Sequence, residues 1–176
     1  MTNRIDKNII ILVDYRGFFG SKYNALPYRS GMDINSLRKA FAYRGWKTTA
    51  LHFSDCIEQD PKDWNGINVI YTSSEDYDLY YKSFIEDVVS YLESCGANII
   101  PRYCYLRANN NKVFMELIRR KLFPISYSIL SSRIYGSYEE LEVDLKAIQY
   151  PIVLKSSEGA MSRGVSLAAN KSELVK

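Results

Sequence analysis

The sequence predicts an α/β protein in which a parallel β-sheet unit is followed by a smaller α+β unit. In the first part of the chain, short β-branched and apolar runs alternate with stretches of helical period, which is the pattern of layered α/β units. Beyond residue 107 the pattern changes to helices with polar starts and a late pair of short apolar runs joined by a glycine-containing loop.

Four strands are predicted in the first unit. The first, "NIIILVD", is a continuous β-branched run, typical of a strand that is buried on both faces in a parallel sheet. The other three are "WKTTALHF", "INVIYTSS" and "ANIIPR", which begin at residues 46, 67 and 97. The single histidine, His52, lies in the second of the four strands, where a structural role is a simpler interpretation than a catalytic one.

Two helices are predicted between these strands. Asp33 is placed to cap the helix "INSLRKAFAYRG", and Gly45 supplies its stop. The segment 77–95 has a helical period and ends at Gly96. The order strand, helix, strand, strand, helix, strand predicts a Rossmann-like domain over residues 1–107. Because no GxGxxG follows the first strand, dinucleotide binding is poorly supported.

The second unit, residues 108–176, is predicted to contain helices and three strands. The segments "ANNNKVFMELIRRKLF" and "SYEELEVDLKAIQY" have helical patterns, and the second is opened by the capping box Ser137-x-x-Glu140. The segment "PISYSIL" alternates like a strand, and two further strands flank the late glycine loop. The last residues, "NKSELVK", read as a helix start capped by Ser172, so we expect the fold to be cut within this unit.

Charge and composition limit the classes of function. The net charge of +3 is small and only Arg119, Arg120 and Lys121 cluster, at a helix end expected to be exposed, so nucleic-acid binding is not expected. The N-terminal apolar run is too short for a signal peptide or a membrane helix, and we expect a cytoplasmic protein without membrane contact. The three cysteines have no metal-ligand spacing and are expected to be buried, reduced and apolar in role.

The stretch "YPIVLKSSEGAMSRGVSLA", residues 150–168, carries the clearest chemical signal. Lys155 closes an apolar strand, so its backbone is held while its ammonium projects at the sheet edge, where it can face a phosphate. The small residues that follow can lay backbone N–H groups over phosphate oxygens and open to admit a ligand. A hairpin with a solvated lysine fits this stretch equally well, and a Walker loop is excluded because the lysine precedes the glycines.

Together with "NNKVFMELIRRKLFPISYS", this stretch resembles the ATP-grasp superfamily. That family has a Rossmann-like pre-domain, an "x-D-K" helix start, a helix ending in "K-x-G-x-P", a strand ending in a lysine and a glycine-rich lid. The matching positions here are Asn111-Lys112, 121–124, 151–155 and 159–165. The resemblance implies that residues 1–107 are a pre-ATP-grasp domain and that 108–176 are the first subdomain of an ATP-grasp fold, incomplete at its C-terminal end.

The site that the resemblance implies is a nucleotide cleft between two β-sheet subdomains. Lys155 would contact the α-phosphate and the adenine edge, and Lys112 would reach the phosphates from the neighbouring element. The lid over the other phosphates would be Ser156, Ser157, Glu158, Gly159, Ala160, Met161, Ser162, Arg163 and Gly164. Arg163 fits either a contact to the triphosphate or a solvated loop arginine.

The reaction that the resemblance implies is a ligation in which ATP, with Mg²⁺, phosphorylates a carboxylate that an amine or a thiol then attacks. The family's metal ligands and catalytic residues lie in a second subdomain, expected downstream of residue 176. The catalytic residues are therefore unknown, no metal ligand is expected here, and the 176-residue chain alone is expected to be inactive. Asn111 in place of aspartate and Phe123 in place of glycine keep open a non-catalytic interaction or assembly module of the same ancestry.

The substrate is expected to be a small-molecule carboxylate read by the first unit. The long loop 14–33 follows the first strand at the carboxyl end of the sheet, where ligands of open α/β sheets bind. Its cationic residues Arg16, Lys22 and Arg29 are candidates to bind an anionic substrate, and a plain surface excursion is the alternative. The carboxylate, the nucleophile and the oligomeric state stay open, although an unfinished subdomain would favour a homo-oligomer by leaving apolar surface uncovered.

Overall fold

The computed structural model describes residues 7–22, 29–74, 79–130, 132–158 and 164–174. The chain divides into two compact units, Met1–Leu106 and Arg107–Lys176. No helix within the described ranges is long and apolar enough to cross a membrane.

The first unit is built on a four-stranded parallel sheet, which confirms the predicted α/β class. The strands, in chain order, are β1 (Asn8–Val13), β2 (Phe19–Lys22), β3 (Arg29–Met32), β4 (Lys47–His52), β5 (Asn68–Ile70) and β6 (Asn98–Ile100). The helices are α1 (Ile34–Tyr43), α2 (Leu79–Ser94) and α3 (Tyr103–Asn110), with 3₁₀ turns at Ser54–Cys56 and Pro61–Trp64. The parallel sheet has the order β4-β1-β5-β6, and all its pairs are parallel.

The central strand β1 is buried because helices cover both faces of the sheet. Leu12 packs into the large core that α2 contributes to, and Ile11 and Val13 pack into a second cluster with Leu37 of α1. Alternate residues of a strand point to opposite faces, so each residue of this continuous β-branched run has an apolar layer to fill. The run "NIIILVD" is therefore confirmed as a doubly covered strand.

The loop predicted after β1 is in part an antiparallel hairpin. Strands β2 and β3 pair with one another, with Phe19 opposite Met32. Phe19 is buried against Ile11 and Val13, so this apolar side chain anchors the hairpin to the face of the sheet that α1 covers. The prediction of an irregular loop was thus wrong for this part of the segment. Burial of Phe19 orders a hairpin although the sequence shows no clear strand pattern there.

Helix α1 begins and ends where the sequence predicts. The Asp33 carboxylate accepts the N–H of Ser36 at 2.8 Å, which satisfies one of the unpaired amides of the first turn. A side-chain hydrogen bond with Ser36 and, second, this backbone bond hold the pKa of Asp33 below its usual value. Gly45 ends the helix with φ +76°, and its N–H donates to the carbonyl of Ala42.

The second unit contains four further helices and a hairpin within its described residues. These elements are α4 (Lys112–Leu122), α5 (Pro124–Ile129), α6 (Tyr138–Asp144), β7 (Ile152–Lys155), β8 (Val165–Ala168) and α7 (Lys171–Leu174). Strands β7 and β8 pair antiparallel with Lys155 opposite Val165, which confirms the predicted hairpin. Its small core joins Leu145, Ala168 and Leu174.

The segment "PISYSIL" is a helix and the prediction of a strand was wrong. Pro124 occupies the first helical turn, where its fixed φ and missing N–H are tolerated. The guanidinium of Arg119 donates to the carbonyl of Leu130 at 2.6 Å and to Glu116 at 2.6 Å, so it ties the end of α5 to α4. Arg119 is therefore half-buried, while Arg120 and Lys121 are exposed as expected.

Two smaller predictions in this unit were also wrong. The helix expected over residues 108–123 is two helices, because Asn111 adopts an extended backbone and caps α4. The last helix is capped by Asn170, whose side-chain oxygen accepts the N–H of Glu173 at 3.1 Å, while Ser172 lies inside α7. The predicted cap Ser137 is confirmed, since its hydroxyl accepts the N–H of Glu140 at 3.3 Å.

Candidate functional site

The start of α4 lies against the turn that follows β7. The backbone N–H of Lys112 donates to the carbonyl of Ser157 at 2.7 Å. Amides of a first helical turn have no acceptor within their own helix, and here the turn supplies one. The structure therefore joins two of the segments that the sequence assigns to one site: the helix start at Lys112 and the loop after Lys155.

Asn111 caps helix α4 through its side chain. It is largely buried, and its side-chain oxygen accepts the N–H of Phe114 at 2.9 Å. Asparagine caps a helix about as well as aspartate, but it brings no negative charge. The partial positive charge at the start of α4 is consequently not offset by its own cap, which suits an anionic ligand.

The loop between β7 and β8 is closed at its base by Ser156 and Gly164. The N–H of Ser156 donates to the carbonyl of Gly164 at 2.8 Å, and the Ser156 hydroxyl donates to the carbonyl of Glu158 at 2.7 Å. Gly164 has φ +70°, and a Cβ placed there would overlap Ser156 Oγ. The other proposed lid residues, Gly159, Ala160, Met161, Ser162 and Arg163, lie outside the described residues.

Lys155 closes β7 as predicted and is exposed at the end of the strand. Pairing with Val165 fixes its backbone in the hairpin. Glu158 is exposed three positions further on, so the described part of the loop carries both signs of charge. A cationic ammonium on a held strand end can face a phosphate without a large cost in ordering the backbone.

The candidate substrate residues lie in and after the turn that follows β1. Arg16 is exposed, and its guanidinium lies 5.2 Å from the centre of the Tyr15 ring, within the range of a cation–π contact. Lys22 and Arg29 are register partners across the β2–β3 hairpin. The side chains of Lys22 and Arg29 lie outside the described parts of the structure.

A buried carboxylate at Asp14 was missed by the sequence analysis. One oxygen of Asp14 accepts the N–H groups of Arg16 and Phe18, both at 2.9 Å, and the other accepts the Ser74 hydroxyl at 3.2 Å. Its main-chain carbonyl lies 2.7 Å from Nδ1 of His52. Asp14 thus fixes the turn that carries Arg16, and His52 contacts the main chain at the start of that turn. The sequence feature that could have predicted it is an aspartate directly after a buried strand.

Two open grooves lie elsewhere on the molecule. A groove of about 480 Å³ in the second unit is lined by Val113, Leu117, Arg120, Ser132, Arg133, Ile134, Tyr135 and Asp144. A groove of about 460 Å³ in the first unit is lined by Arg38, Lys39, Ala42, Trp46, Lys47 and Thr48. None of the site residues that the sequence predicts lines either groove. Among the described residues, no group of three or more histidine, cysteine or acidic side chains could hold a metal ion.

Comparison with known proteins finds similarity at the level of solved structures. No family model and no curated protein matches the chain. A solved structure of a RimK domain protein ATP-grasp from Sphaerobacter thermophilus is similar, with 16% sequence identity and a TM-score of 0.47. The match covers 94% of this chain and 55% of that one, so this chain spans about half the length of that protein. That protein is named as an ATP-grasp protein, and ATP-grasp is the family that the sequence motifs resemble.

Proposed function

We propose that this chain is the N-terminal part of an ATP-dependent carboxylate–amine, or carboxylate–thiol, ligase that acts through an acyl-phosphate. The observation that carries the proposal is the 2.7 Å hydrogen bond from the Lys112 N–H to the Ser157 carbonyl. It holds the start of α4 to the turn that begins directly after Lys155. Both motif lysines therefore flank the same turn, as a shared phosphate site requires.

Lysine side chains supply the phosphate contacts in this proposal. The N–H groups of Lys112 and Phe114 already donate to protein oxygens, so these first-turn amides are not available to a ligand. The ammonium groups of Lys112 and Lys155 and the partial charge of the helix start remain as positive charges at the site. The loop 156–164 would then cover the phosphates from a base that the Ser156–Gly164 pair holds in place.

The first unit would bind the carboxylate substrate through its cationic hairpin. Lys22 and Arg29 stand directly opposite one another on β2 and β3. Arg16 follows the carboxyl end of β1, where open α/β sheets take their ligands.

The remaining chemistry would come from residues beyond this sequence. In the proposal, Mg²⁺ bound with ATP would supply positive charge at the phosphates, and the residues that would hold it, like the catalytic residues, would lie downstream of residue 176. The residues of this chain bind and orient ATP and hold the carboxylate. By itself, the 176-residue chain should bind ATP weakly or not at all, since it would contain half of the cleft.

A second candidate is a non-catalytic interaction module of ATP-grasp ancestry. The observation that favours it is the exposure of apolar side chains on and after α5: Ile125 is 79% exposed, Ile129 76% and Leu130 68%. Exposed apolar groups of this size often mark a surface that a partner covers. The neutral Asn111 and the bulky Phe123 agree with a site that no longer needs to turn over ATP.

Thermal stabilisation by MgATP separates the two candidates in the full-length protein that contains this sequence. The ligase proposal expects a rise in Tm that Lys155→Ala and Lys112→Ala each abolish. Lys146→Ala, which changes an exposed lysine of the same unit, should keep the rise. No rise in the unaltered protein would favour the interaction module. Tight, Mg²⁺-dependent ATP binding by residues 1–176 alone would contradict the division of the cleft.

A further inference from the structure

Three cations, two from α1 and one from β4, line a groove beside one tryptophan in the first unit. The groove of about 460 Å³ lies between the second half of α1 and the first residues of β4. Arg38 and Lys39 line it from the helix, and Lys47 lines it from the strand. No residue that lines the groove is acidic, and within the described ranges none of the three cations forms an ion pair.

The tryptophan at the groove is held by the end of α1. The N–H of Trp46 donates to the carbonyl of Phe41 at 3.0 Å, and the N–H of Gly45 donates to the carbonyl of Ala42 at 2.9 Å. These two bonds are those of a Schellman motif, in which the residue after the glycine is fixed against the last helical turn. The half-buried indole of Trp46 is thus a prepositioned apolar surface beside the cations.

A hydrogen bond also orients one of the cations. The Nε of Arg38 donates to the hydroxyl of Thr48 at 3.4 Å, which links the helix wall of the groove to the strand wall. A guanidinium has five N–H donors in a fixed plane, so its terminal nitrogens can still serve a tetrahedral or planar anion. Lys47 is placed by its own N–H, which donates to the carbonyl of Lys7 at 2.7 Å.

We propose that this groove binds an aromatic phosphate, that is, a phosphate monoester carried on a flat ring. The phosphate would lie between Arg38, Lys39 and Lys47, and the ring would lie on Trp46. Phosphate suits three cations in a groove without an acidic lining residue, and a flat ring gains by contact with an indole. Asp33, which lies outside the lining, acts electrostatically on Lys39. This site goes beyond the proposed function, because it contains none of the residues assigned to ATP.

Tryptophan fluorescence tests the proposal directly, because the chain has two tryptophans and the other, Trp64, is buried. Titration with adenosine 5′-monophosphate or phenyl phosphate should quench the fluorescence in a saturable way. Adenosine and inorganic phosphate should each bind at least roughly tenfold more weakly, since each offers half of the contacts. Comparison of the affinities of adenosine 5′-monophosphate and phenyl phosphate shows whether the groove prefers a nucleobase or binds any flat ring. Trp46→Phe should remove the response.

Matched variants locate the ligand. Arg38→Ala with Lys47→Ala should weaken binding of adenosine 5′-monophosphate by at least roughly tenfold. Lys62→Ala, an exposed lysine of the same unit outside the groove, should leave it unchanged. Lys155→Ala should also leave it unchanged, so failure here is separate from failure of the ATP proposal. Absence of saturable quenching, equal binding of adenosine, or an unaffected double variant would overturn the proposal. Far tighter binding of a single-stranded oligonucleotide would replace it with a nucleic-acid site.

Discussion

Ser156 and Gly164 close the base of the β7–β8 loop by a hydrogen bond of 2.8 Å and by direct contact at the glycine. A side chain at Gly164 would not fit. Its φ of +70° already disfavours other residues, and a Cβ would overlap the Ser156 hydroxyl.

Gly164→Ala should destabilise the second unit by about 2–3 kcal/mol, the sum of the backbone cost and the overlap with Ser156. Gly66→Ala is the matched control: it has φ +76° and open space around its Cβ, so it should cost about 1 kcal/mol. Denaturant unfolding of both variants measures the difference. Equal losses for the two glycines would show that the Ser156 contact has no effect on stability.

Asn111→Ala should lower the free energy of unfolding by about 1 kcal/mol, because the Phe114 amide loses its acceptor. Asn111→Asp should keep the cap and add a favourable interaction with the helix start of about 0.3–1 kcal/mol. Asn109→Ala changes an exposed asparagine in α3 and should have a smaller effect. Urea unfolding monitored by circular dichroism gives the order of the variants. A neutral Asn111→Ala would contradict the capping role.

Asp14→Ala should be among the most destabilising single changes in the first unit, at about 3 kcal/mol or more. It leaves the N–H groups of Arg16 and Phe18 and the Ser74 hydroxyl without their acceptor in a buried place. Asp14→Asn retains an oxygen and should cost less. Asp55→Ala, which changes an exposed aspartate, is the control for loss of charge. A protein that tolerates Asp14→Ala as well as Asp55→Ala would exclude the network as a stabilising element.

Cys56 should make the first unit sensitive to alkaline pH. Burial, with a smaller contribution from Asp55, raises the pKa of this thiol from 9.0 to about 12. The unfolded chain therefore ionises first, so the stabilising contribution is complete below pH 9 and is lost as the pH rises toward 12. Each pH unit in that window costs at most about 1.4 kcal/mol for this group.

Stability measured across this window checks the effect of the thiol. Cys56→Ala should flatten the alkaline fall in Tm but leave a residual slope. The residual slope is expected because burial also raises the pKa of Tyr71. Thiol-reactive reagents at neutral pH should label the half-buried Cys95 and Cys104 before Cys56. Early labelling of Cys56 would contradict its burial.

The parts of the fold that the sequence predicted correctly depend on local patterns. The strand β1 follows from an unbroken β-branched run, and the helix caps at Asp33 and Ser137 follow from side chains that reach amides three residues away. These interactions lie within a few residues and leave a readable pattern. The carboxyl-terminal hairpin was predictable for the same reason, since two short apolar runs flank a glycine-containing loop.

The parts that were missed depend on contacts between distant residues. The period of "PISYSIL" is that of a strand, but the segment forms helix α5. The guanidinium of Arg119 donates to the carbonyls of Ser126 and Leu130 and so stabilises this helix. The hairpin β2–β3 is anchored by the buried side chain of Phe19, and no local sequence pattern predicts this burial. The cationic groove needed the packing of α1 beside β4, because Arg38 and Lys47 are separated by a helical turn and a glycine. The α4 contact to Ser157 could be expected only through the family resemblance.

The hydrogen bond between Lys112 and Ser157 makes the Lys112 amide proton a reporter for the turn at Ser157. While Ser157 stays in place, the Lys112 amide is shielded, and its exchange with deuterium in the solvent should be slow. Any ligand or substitution that moves the turn away leaves that amide at the open end of a helix, where exchange is fast. A single resonance, assigned once, could therefore follow the position of the turn at Ser157 without a label on that turn.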